Sequence, residues 1–519
     1  MTGDSPEIAR GTGPQDAIAR KPVRKGTGTN ASERYLARLA ANTFLSLWSY
    51  PGVFRDQKWS EAQSEGKEVC DLLVVFDDHV LIFSDKNIRY RTDVDPIVGW
   101  RRWYKAAVKK SADQIFGAER WIRMYRDRLY LDSACTQPFP IPLPDQARMR
   151  VHRIVVAHGA SEACRQAFGG SGSLMLAPAV TGDDHLAEGA RPFTIGHVVP
   201  DAGFVHVLDD RTVDVLLRTL DTVTDFLEYL SRKEAFFGSG KLIGATGEED
   251  LLAYYLRHVG PDGWHDFEVP PNSDAILLTE GLWSEFEAHE RRRLQIEADR
   301  KSYAWDNLVE RFGKHILNDT QFHTTERGVA HSERIVRFLA REPRTRRRAL
   351  VEACTELYRE PTEARRVRVI VPSRPGDPHY VLLVVYRPST LSYSEYRLRR
   401  RQLAETYMQV AKVRFPEAQH IVAIATGYPG NQGGNDNSED ALYLDATSWT
   451  AEHQRAAEEL QRETGALETI HRHHRTFKAY PDPAEDGSVR RGLRMKGNDR
   501  NKPCYCGSGL KLKRCHGRG

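Results

Sequence analysis

The feature that most restricts the fold of this chain is a short run of metal-ligand residues near its C-terminal end. Cys504 and Cys506 are one residue apart, and the pair Cys515-His516 follows after eight further residues. Zinc takes four ligands in a tetrahedron, and thiolates with an imidazole supply them without redox chemistry. A segment this short has almost no core, so bound metal must stabilise it, by about 10–16 kcal/mol in comparable peptides. The spacing therefore predicts a closed structural zinc site.

The same segment resembles the SEC-C motif, which is named for the tail of the bacterial preprotein translocase motor. The Cys-x-Cys pair, the Ser508-Gly509 turn and the closing Cys-His pair all match the motif. In the translocase family the motif is associated with protein partners, so the resemblance implies a tail that binds protein. Residues 487–519 also contain ten lysines and arginines against the single acid Asp499, an excess that suits nucleic acid as well. The sequence leaves both partners open.

Length and composition indicate a soluble protein of several domains. At roughly 150 residues per domain, 519 residues suggest about three globular units. The hydrophobic share of 40% and the charged share of 28% exclude the fibrous and disordered classes. Four of the seven cysteines are scattered singly, which argues against a disulfide framework. The chain has no long apolar run and no signal-peptide pattern at its start, so we expect a cytoplasmic protein.

A buried hairpin is predicted over residues 69–88, because two apolar, β-rich runs at 72–76 and 80–83 flank a polar turn. Asp71 lies at the start of the first strand and Lys86 at the end of the second. The hairpin can therefore bring an acid and a lysine together. Phosphodiester hydrolysis needs acids to hold a divalent cation, and a lysine to orient water or offset developing charge.

This hairpin resembles the core of the restriction-endonuclease-like family known as PD-(D/E)XK, which consists of a helix, a hairpin of a mixed sheet and a second helix. Asp71 matches the metal-binding aspartate and Lys86 the lysine, and Glu33, on a helix predicted to begin at Ser32, matches the acid often found there. The chain departs from the family at Ser84, where Glu, Asp or Gln is usual; Glu68 is near enough in sequence to compensate. The resemblance implies a Mg²⁺ or Mn²⁺ ion held by Glu33, Glu68 and Asp71, with Lys86 near the attacking water.

A basic helix is predicted after the hairpin, over about 101–125. Lys105, Lys109 and Lys110 lie outside its apolar face, where water or a ligand can meet them. The nuclease family commonly uses the following helix to approach the DNA backbone. The resemblance therefore implies that these lysines bind nucleic acid.

These patterns predict an α/β multidomain chain with six segments. We expect a flexible leader (1–30), a restriction-endonuclease-like domain with a mixed sheet (31–235), a mostly helical region (236–360), a second α/β domain (361–480), a linker (481–500) and the zinc knuckle (501–519). Further strands are predicted at 153–157, 193–199 and 204–208, and one long helix at 213–230. In the second α/β domain, strands are predicted at 367–371, 381–386, 420–425 and 442–444, and helices at 393–415 and 452–464.

The sequence thus favours a cytoplasmic, metal-dependent nuclease that cleaves nucleic-acid phosphodiester bonds. Analogy with proteins that join such a core to accessory domains suggests antiviral defence against foreign DNA. The alternative is a non-catalytic adaptor, in which the nuclease-like fold is degenerate and the zinc tail docks a partner. Ser84 is the residue that favours this alternative.

Overall fold

The computed structural model describes residues 22–56, 66–260, 263–324, 328–359, 365–428, 438–475 and 477–481, together with Asn501 and Lys511. The described residues form two compact units. The larger unit contains 22–300, 310–320 and 478–481, and the smaller one contains 301–309 and 321–477. Among the described helices, none has both the length and the apolar character that crossing a membrane requires.

The larger unit alternates helices and strands. Its first part contains α1 (Ala31–Thr43), α2 (Leu45–Trp48), β1 (Ser49–Arg55), β2 (Lys67–Phe76), β3 (His79–Asn87), α3 (Pro96–Tyr104), a π-helical turn (Lys105–Lys109), α4 (Lys110–Met124), β4 (Leu129–Tyr130) and β5 (Arg150–His158). Its second part contains α5 (Ser161–Phe168), β6 (Met175–Thr181), a 3-10 turn (Gly182–Leu186), β7 (Thr194–His197), β8 (Val205–Leu208), α6 (Thr212–Thr219), α7 (Val223–Phe237), β9 (Leu242–Ala245), α8 (Glu248–Arg257), β10 (Ala275–Leu278), α9 (Leu282–Ala288) and α10 (Glu290–Asp299).

The predicted hairpin is confirmed and lies inside a mixed sheet with the strand order β4–β1–β2–β3–β5–β8. β1, β2 and β3 are antiparallel neighbours, whereas β5 runs parallel to β3 and β8 runs parallel to β5. Residues 72–76 and 80–83 are almost fully buried. Because successive side chains point to opposite faces of a strand, both faces of the sheet are covered here.

Two helices begin earlier than the sequence predicts, because capping side chains precede them. α1 begins at Ala31 rather than Ser32, since the side chain of Asn30 accepts a hydrogen bond from the backbone N–H of Glu33. The basic helix begins at Pro96 rather than near residue 101, since Asp95 accepts from the backbone N–H groups of Ile97 and Val98. Each cap satisfies amides that the first helical turn leaves without partners.

The single helix predicted over 213–230 is wrong: the chain forms α6 and α7 with a break between them. Thr222 caps α7 by accepting a hydrogen bond from the backbone N–H of Asp225. A second sheet, with the order β10–β9–β6–β7, joins strands from both sides of residue 235. Most of its strands have only four residues, too few to give an apolar periodicity in the sequence.

The smaller unit contains the second α/β fold, whose predicted strands and helices are confirmed close to their expected bounds. After a 3-10 turn (Arg300–Ser302) come α11 (Tyr303–Asn318), which is divided between the two units, α12 (Val329–Ala340), α13 (Arg344–Tyr358), β11 (Arg365–Ile370), β12 (His379–Val385), α14 (Tyr393–Arg414), β13 (His420–Gly427), β14 (Asp440–Asp445) and α15 (Ala451–Thr464). The strand order is β11–β12–β13–β14, and the parallel pair β12 and β13 is connected through α14. The six-segment division of the whole chain stays a prediction.

Candidate active site

Asp71 and Lys86 meet across the β2–β3 hairpin. The Nζ atom of Lys86 lies 3.8 Å from Oδ2 of Asp71. Leu72 pairs with Phe83, which places Asp71 beside Ser84 in the register. Since alternate residues of a strand share a face, Ser84 and Lys86 project to the same side as Asp71. The structure therefore brings this predicted pair together at one face of the sheet.

A β-bulge brings Glu68 to the same place. Val53 pairs with Cys70 and Phe54 with Glu68, so Val69 has no partner in the register. On a regular strand, side chains three residues apart point to opposite faces; an extra residue shifts the alternation and re-aims the side chain. The carboxylate of Glu68 consequently comes within electrostatic range of Asp71.

Glu68 is the most perturbed acid of this group. Burial raises the pKa of Glu68 to about 7, and repulsion from Asp71 and Glu33 adds to this effect. Attraction to Lys86 acts in the opposite direction but is weaker. Its Oε1 atom is buried without a hydrogen-bond partner. Burial likewise raises the pKa of Asp71. Two neighbouring carboxyl groups that resist ionisation are suited to a cation, because a positive charge stabilises the ionised form of both.

Glu33 lies near the group but is engaged in holding the start of α1. Its Oε2 accepts hydrogen bonds from the backbone N–H and the hydroxyl of Thr29, at 2.6 and 2.5 Å, and its Oε1 accepts from the side-chain amide of Asn30 at 2.5 Å. Both carboxylate oxygens are thus used in local contacts. Its charge still acts on Glu68 and Asp71, and the metal-binding role of Glu33 stays a prediction.

Asp85 connects the hairpin to α1. Its carboxylate accepts a hydrogen bond from the hydroxyl of Ser32 at 2.6 Å, and its backbone N–H donates to Oδ2 of Asp71 at 2.6 Å. The second contact fixes the orientation of Asp71. Asp85 therefore positions the predicted metal ligand through its backbone, while its own side chain faces away from Lys86.

His158 and Asp210, which the sequence does not predict as site residues, lie at the same edge of the sheet. Nδ1 of His158 is 2.9 Å from Asp210, and its Nε2 is 3.5 Å from Oδ2 of Asp85. Burial lowers the pKa of His158, but hydrogen bonding and attraction to the two aspartates outweigh it and raise that pKa to about 9. One sequence feature could have indicated them: each residue stands at the carboxyl end of a predicted strand. In parallel strands these ends lie together at one edge of the sheet.

Beyond this cluster, one segment of the chain matches a known family. Residues 500–518 match the SEC-C motif. The match contains all four predicted ligands, namely Cys504, Cys506, Cys515 and His516, and covers only a small part of the chain. Those four residues lie outside the described residues. No curated protein and no solved structure matches the chain.

The SEC-C match agrees with the chemistry of its donor set. Three thiolates and one imidazole complete a tetrahedron around zinc without leaving a position for a reactant. If zinc is bound there, it supplies folding energy rather than a catalytic function. The tail is thus identified as a family motif, whereas the larger unit is interpreted from its geometry.

The predicted nucleic-acid-binding lysines are exposed on the long helix of the larger unit. Lys105 and Lys109 belong to the π-helical turn, and Lys110 begins α4. Nζ of Lys109 lies 2.9 Å from the exposed carboxylate of Asp183. An exposed ion pair of this kind contributes about 0–1 kcal/mol, so a phosphate could displace the carboxylate at small cost. Their role in binding nucleic acid stays a prediction.

Proposed function

We propose that this chain is a metal-dependent nuclease that cleaves phosphodiester bonds of nucleic acid at the cluster of Glu68, Asp71 and Lys86. The observation that supports the proposal most is their convergence. Lys86 lies 3.8 Å from Asp71, and the β-bulge at Val69 brings Glu68 into range, with its pKa raised to about 7 by burial and by Asp71.

Each side chain has a distinct part in the proposed reaction. Glu68 and Asp71 would hold Mg²⁺ or Mn²⁺, which take oxygen ligands and stabilise negative charge on a phosphate. Lys86 has only part of its charge offset by Asp71, so its ammonium can orient the attacking water or offset charge that develops on the phosphate. Glu33 would act either as a further ligand or through its charge. Ser84 leaves one expected carboxylate missing, which Glu68 would replace.

The order of elements also supports the proposal. A helix (α1), an antiparallel hairpin of a mixed sheet (β2 and β3) and a second helix (α3 and α4) follow one another, as in the restriction-endonuclease-like proteins that the hairpin resembles. Lys105, Lys109 and Lys110 on that second helix would contact the phosphate backbone. In this account the zinc tail binds a partner protein or nucleic acid, and the protein acts in the cytoplasm in defence against foreign DNA.

The proposal is tested by incubating the full chain with plasmid, linear duplex DNA and RNA in Mg²⁺ or Mn²⁺. Lys86→Ala should reduce cleavage by about 100-fold or more, as loss of a catalytic group commonly does. Lys314→Ala is a matched control, because Nζ of Lys314 also lies 3.8 Å from a carboxylate, Glu310, but on an exposed helix surface. Equal cleavage by wild type and Lys86→Ala would contradict the proposal.

A second candidate function is the non-catalytic adaptor. It is favoured by Ser84 and by Glu33, whose two oxygens are occupied by Thr29 and Asn30. The same experiment separates the two functions. If the folded chain cleaves none of the substrates with either ion, the adaptor function is favoured and the nuclease function is ruled out.

A further inference from the structure

Two histidines and a glutamate come together at the end of the main sheet opposite the candidate active site. His152 lies near the start of β5, His206 near the start of β8, and Glu234 on α7. β5 and β8 are parallel, with Ile154 paired to His206, so the two histidines project from the same face. Lys86 lies near the C-terminal end of β3, which runs parallel to β5. Lys86 therefore lies at the opposite end of these strands from His152.

The three side chains form a compact set of potential ligands. Nε2 of His206 lies 2.9 Å from Oε1 of Glu234, and Nδ1 of His152 lies 3.7 Å from the same oxygen. One ligand atom from each residue can be chosen so that all three lie within 4.8 Å of one another. Among the described residues, this is the one group of at least three His, Cys, Asp or Glu side chains whose potential ligand atoms lie this close together.

Both histidine rings carry a buried nitrogen that hydrogen bonding within the protein leaves unsatisfied. His152 is 5% exposed and His206 is 1% exposed, and the Nδ1 atom of each has no hydrogen-bond partner. Burying a polar atom without a partner is unfavourable. Of these two atoms, Nδ1 of His152 faces Glu234, 3.7 Å from its Oε1, and is available to a ligand placed there. His206 faces the same oxygen through its other ring nitrogen, Nε2.

A further histidine supports the orientation of His152. Nδ1 of His79, the first residue of β3, lies 2.9 Å from Nε2 of His152. When Nε2 of His152 carries the proton and donates to His79, its Nδ1 keeps a lone pair directed toward Glu234. Metal-binding histidines commonly use their second ring nitrogen in this way, which fixes the tautomer.

The charges nearby and the exposure of Glu234 also suit a cation. The ammonium of Lys233, the neighbour of Glu234 in sequence, is 2.5 Å from the carboxylate of Glu248, which offsets its charge. Glu234 is 38% exposed and so leaves solvent access on one side of the group.

We propose that His152, His206 and Glu234 bind a divalent first-row transition metal ion, with zinc as the best-suited ion. Two imidazoles and one carboxylate favour such an ion over Mg²⁺ or Ca²⁺, which prefer oxygen ligands alone. Three protein ligands leave a fourth position for water on the exposed side of Glu234. The ion would join β5, β8 and α7, and it is separate from both the candidate active site and the zinc tail.

The experiment uses the full chain with Cys504→Ser, Cys506→Ser and Cys515→Ser, which removes all three thiolates of the tail. After dialysis against zinc and then metal-free buffer, elemental analysis should find one zinc ion per chain. Adding Glu234→Gln or His206→Gln should remove that ion, whereas Asp71→Asn should leave it. Glu268→Gln is the matched control, because Glu268 lies 2.7 Å from a single histidine, His258, outside any such group.

Circular dichroism shows whether each variant is folded, and cobalt provides a measurement that needs no change at the site. Cobalt bound by the cysteine-substituted chain should give visible d–d absorption without thiolate-to-metal charge transfer. Zinc retained in full by folded Glu234→Gln, or neither zinc nor cobalt bound stoichiometrically by the cysteine-substituted chain, would overturn the proposal.

Discussion

At the scale of single residues, the candidate active site is defined by the electrostatics of Glu68. In the folded chain its pKa is raised to about 7 by burial and by Asp71, against the ordinary value of 4.5. When a carboxyl group has a higher pKa in the folded chain than in the unfolded chain, the unfolded chain loses its proton at a lower pH. Between the two pKa values, rising pH therefore favours the unfolded chain. The free energy of unfolding should therefore fall as the pH rises from about 4.5 to about 7, and a bound cation should reverse that loss.

Glu68→Gln tests this electrostatic account. The neutral isostere should raise the free energy of unfolding at about pH 8 in the presence of a chelator, because it removes the cost of burying a charge. At about pH 3 the glutamate is protonated in both the folded and the unfolded chain, so the gain should vanish. Denaturant titrations at the two pH values measure the difference. Glu290→Gln, at an exposed side chain paired with Arg293, is the control and should have little effect at either pH.

A gain that is equal at both pH values, or a loss at about pH 8, would contradict the electrostatic account of Glu68. Asp71 and Lys86 were predictable from the sequence because each stands at a fixed end of a hairpin. The approach of Glu68 was not, since it depends on the bulge at Val69, and a bulge leaves no periodic signal.

At the scale of elements, the sequence predicts those segments that bury long or regular apolar faces. β2 and β3 carry continuous apolar runs, and the bounds predicted for their hairpin, 69–88, agree closely with the structure. β9 and β10 contain four residues each, and in both strands a buried side chain alternates with one that is exposed or partly exposed. Such strands form because neighbouring strands pair with them, and that information is not local in the sequence.

The break between α6 and α7 depends on one capping side chain. Thr222 is fully buried, and its hydroxyl accepts a hydrogen bond from the backbone N–H of Asp225 at 3.1 Å. Thr222→Ala should lower the free energy of unfolding by about 1 kcal/mol, because the amide loses its partner. Thr222→Ser keeps the hydroxyl and should recover most of that loss. Denaturant titration of both variants measures the free energy of unfolding. Equal losses in Thr222→Ala and Thr222→Ser would show that the capping hydrogen bond contributes nothing.

At the scale of the whole molecule, the proposed catalytic and zinc-binding functions belong to distant parts of the chain. Lys86 and Cys504 are more than four hundred residues apart in sequence. The SEC-C match identifies the tail and carries no information about the larger unit. Each function should therefore be removable without the other.

Removing the tail tests this separation. A chain ending at Arg500 should contain one zinc ion fewer than the full chain, because the four ligands at 504, 506, 515 and 516 are gone. Its intrinsic cleavage of short linear DNA should change little if the tail serves only to bind a partner. Elemental analysis and a cleavage assay measure the two effects, and Cys504→Ser in the full chain is the matched variant. Equal zinc content in the full and shortened chains would rule out the tail as a zinc site.

The most direct test of the nuclease account is the single-turnover cleavage of linear duplex DNA by wild type and by Asp71→Asn in Mg²⁺ or Mn²⁺. Asn keeps the shape of Asp71 and can still accept the hydrogen bond from the backbone N–H of Asp85, but it lacks the charge that would hold the cation. The account predicts cleavage by wild type that requires the metal and falls by about 100-fold or more in the variant. Cleavage at an unchanged rate by Asp71→Asn, or no cleavage by wild type, would contradict it.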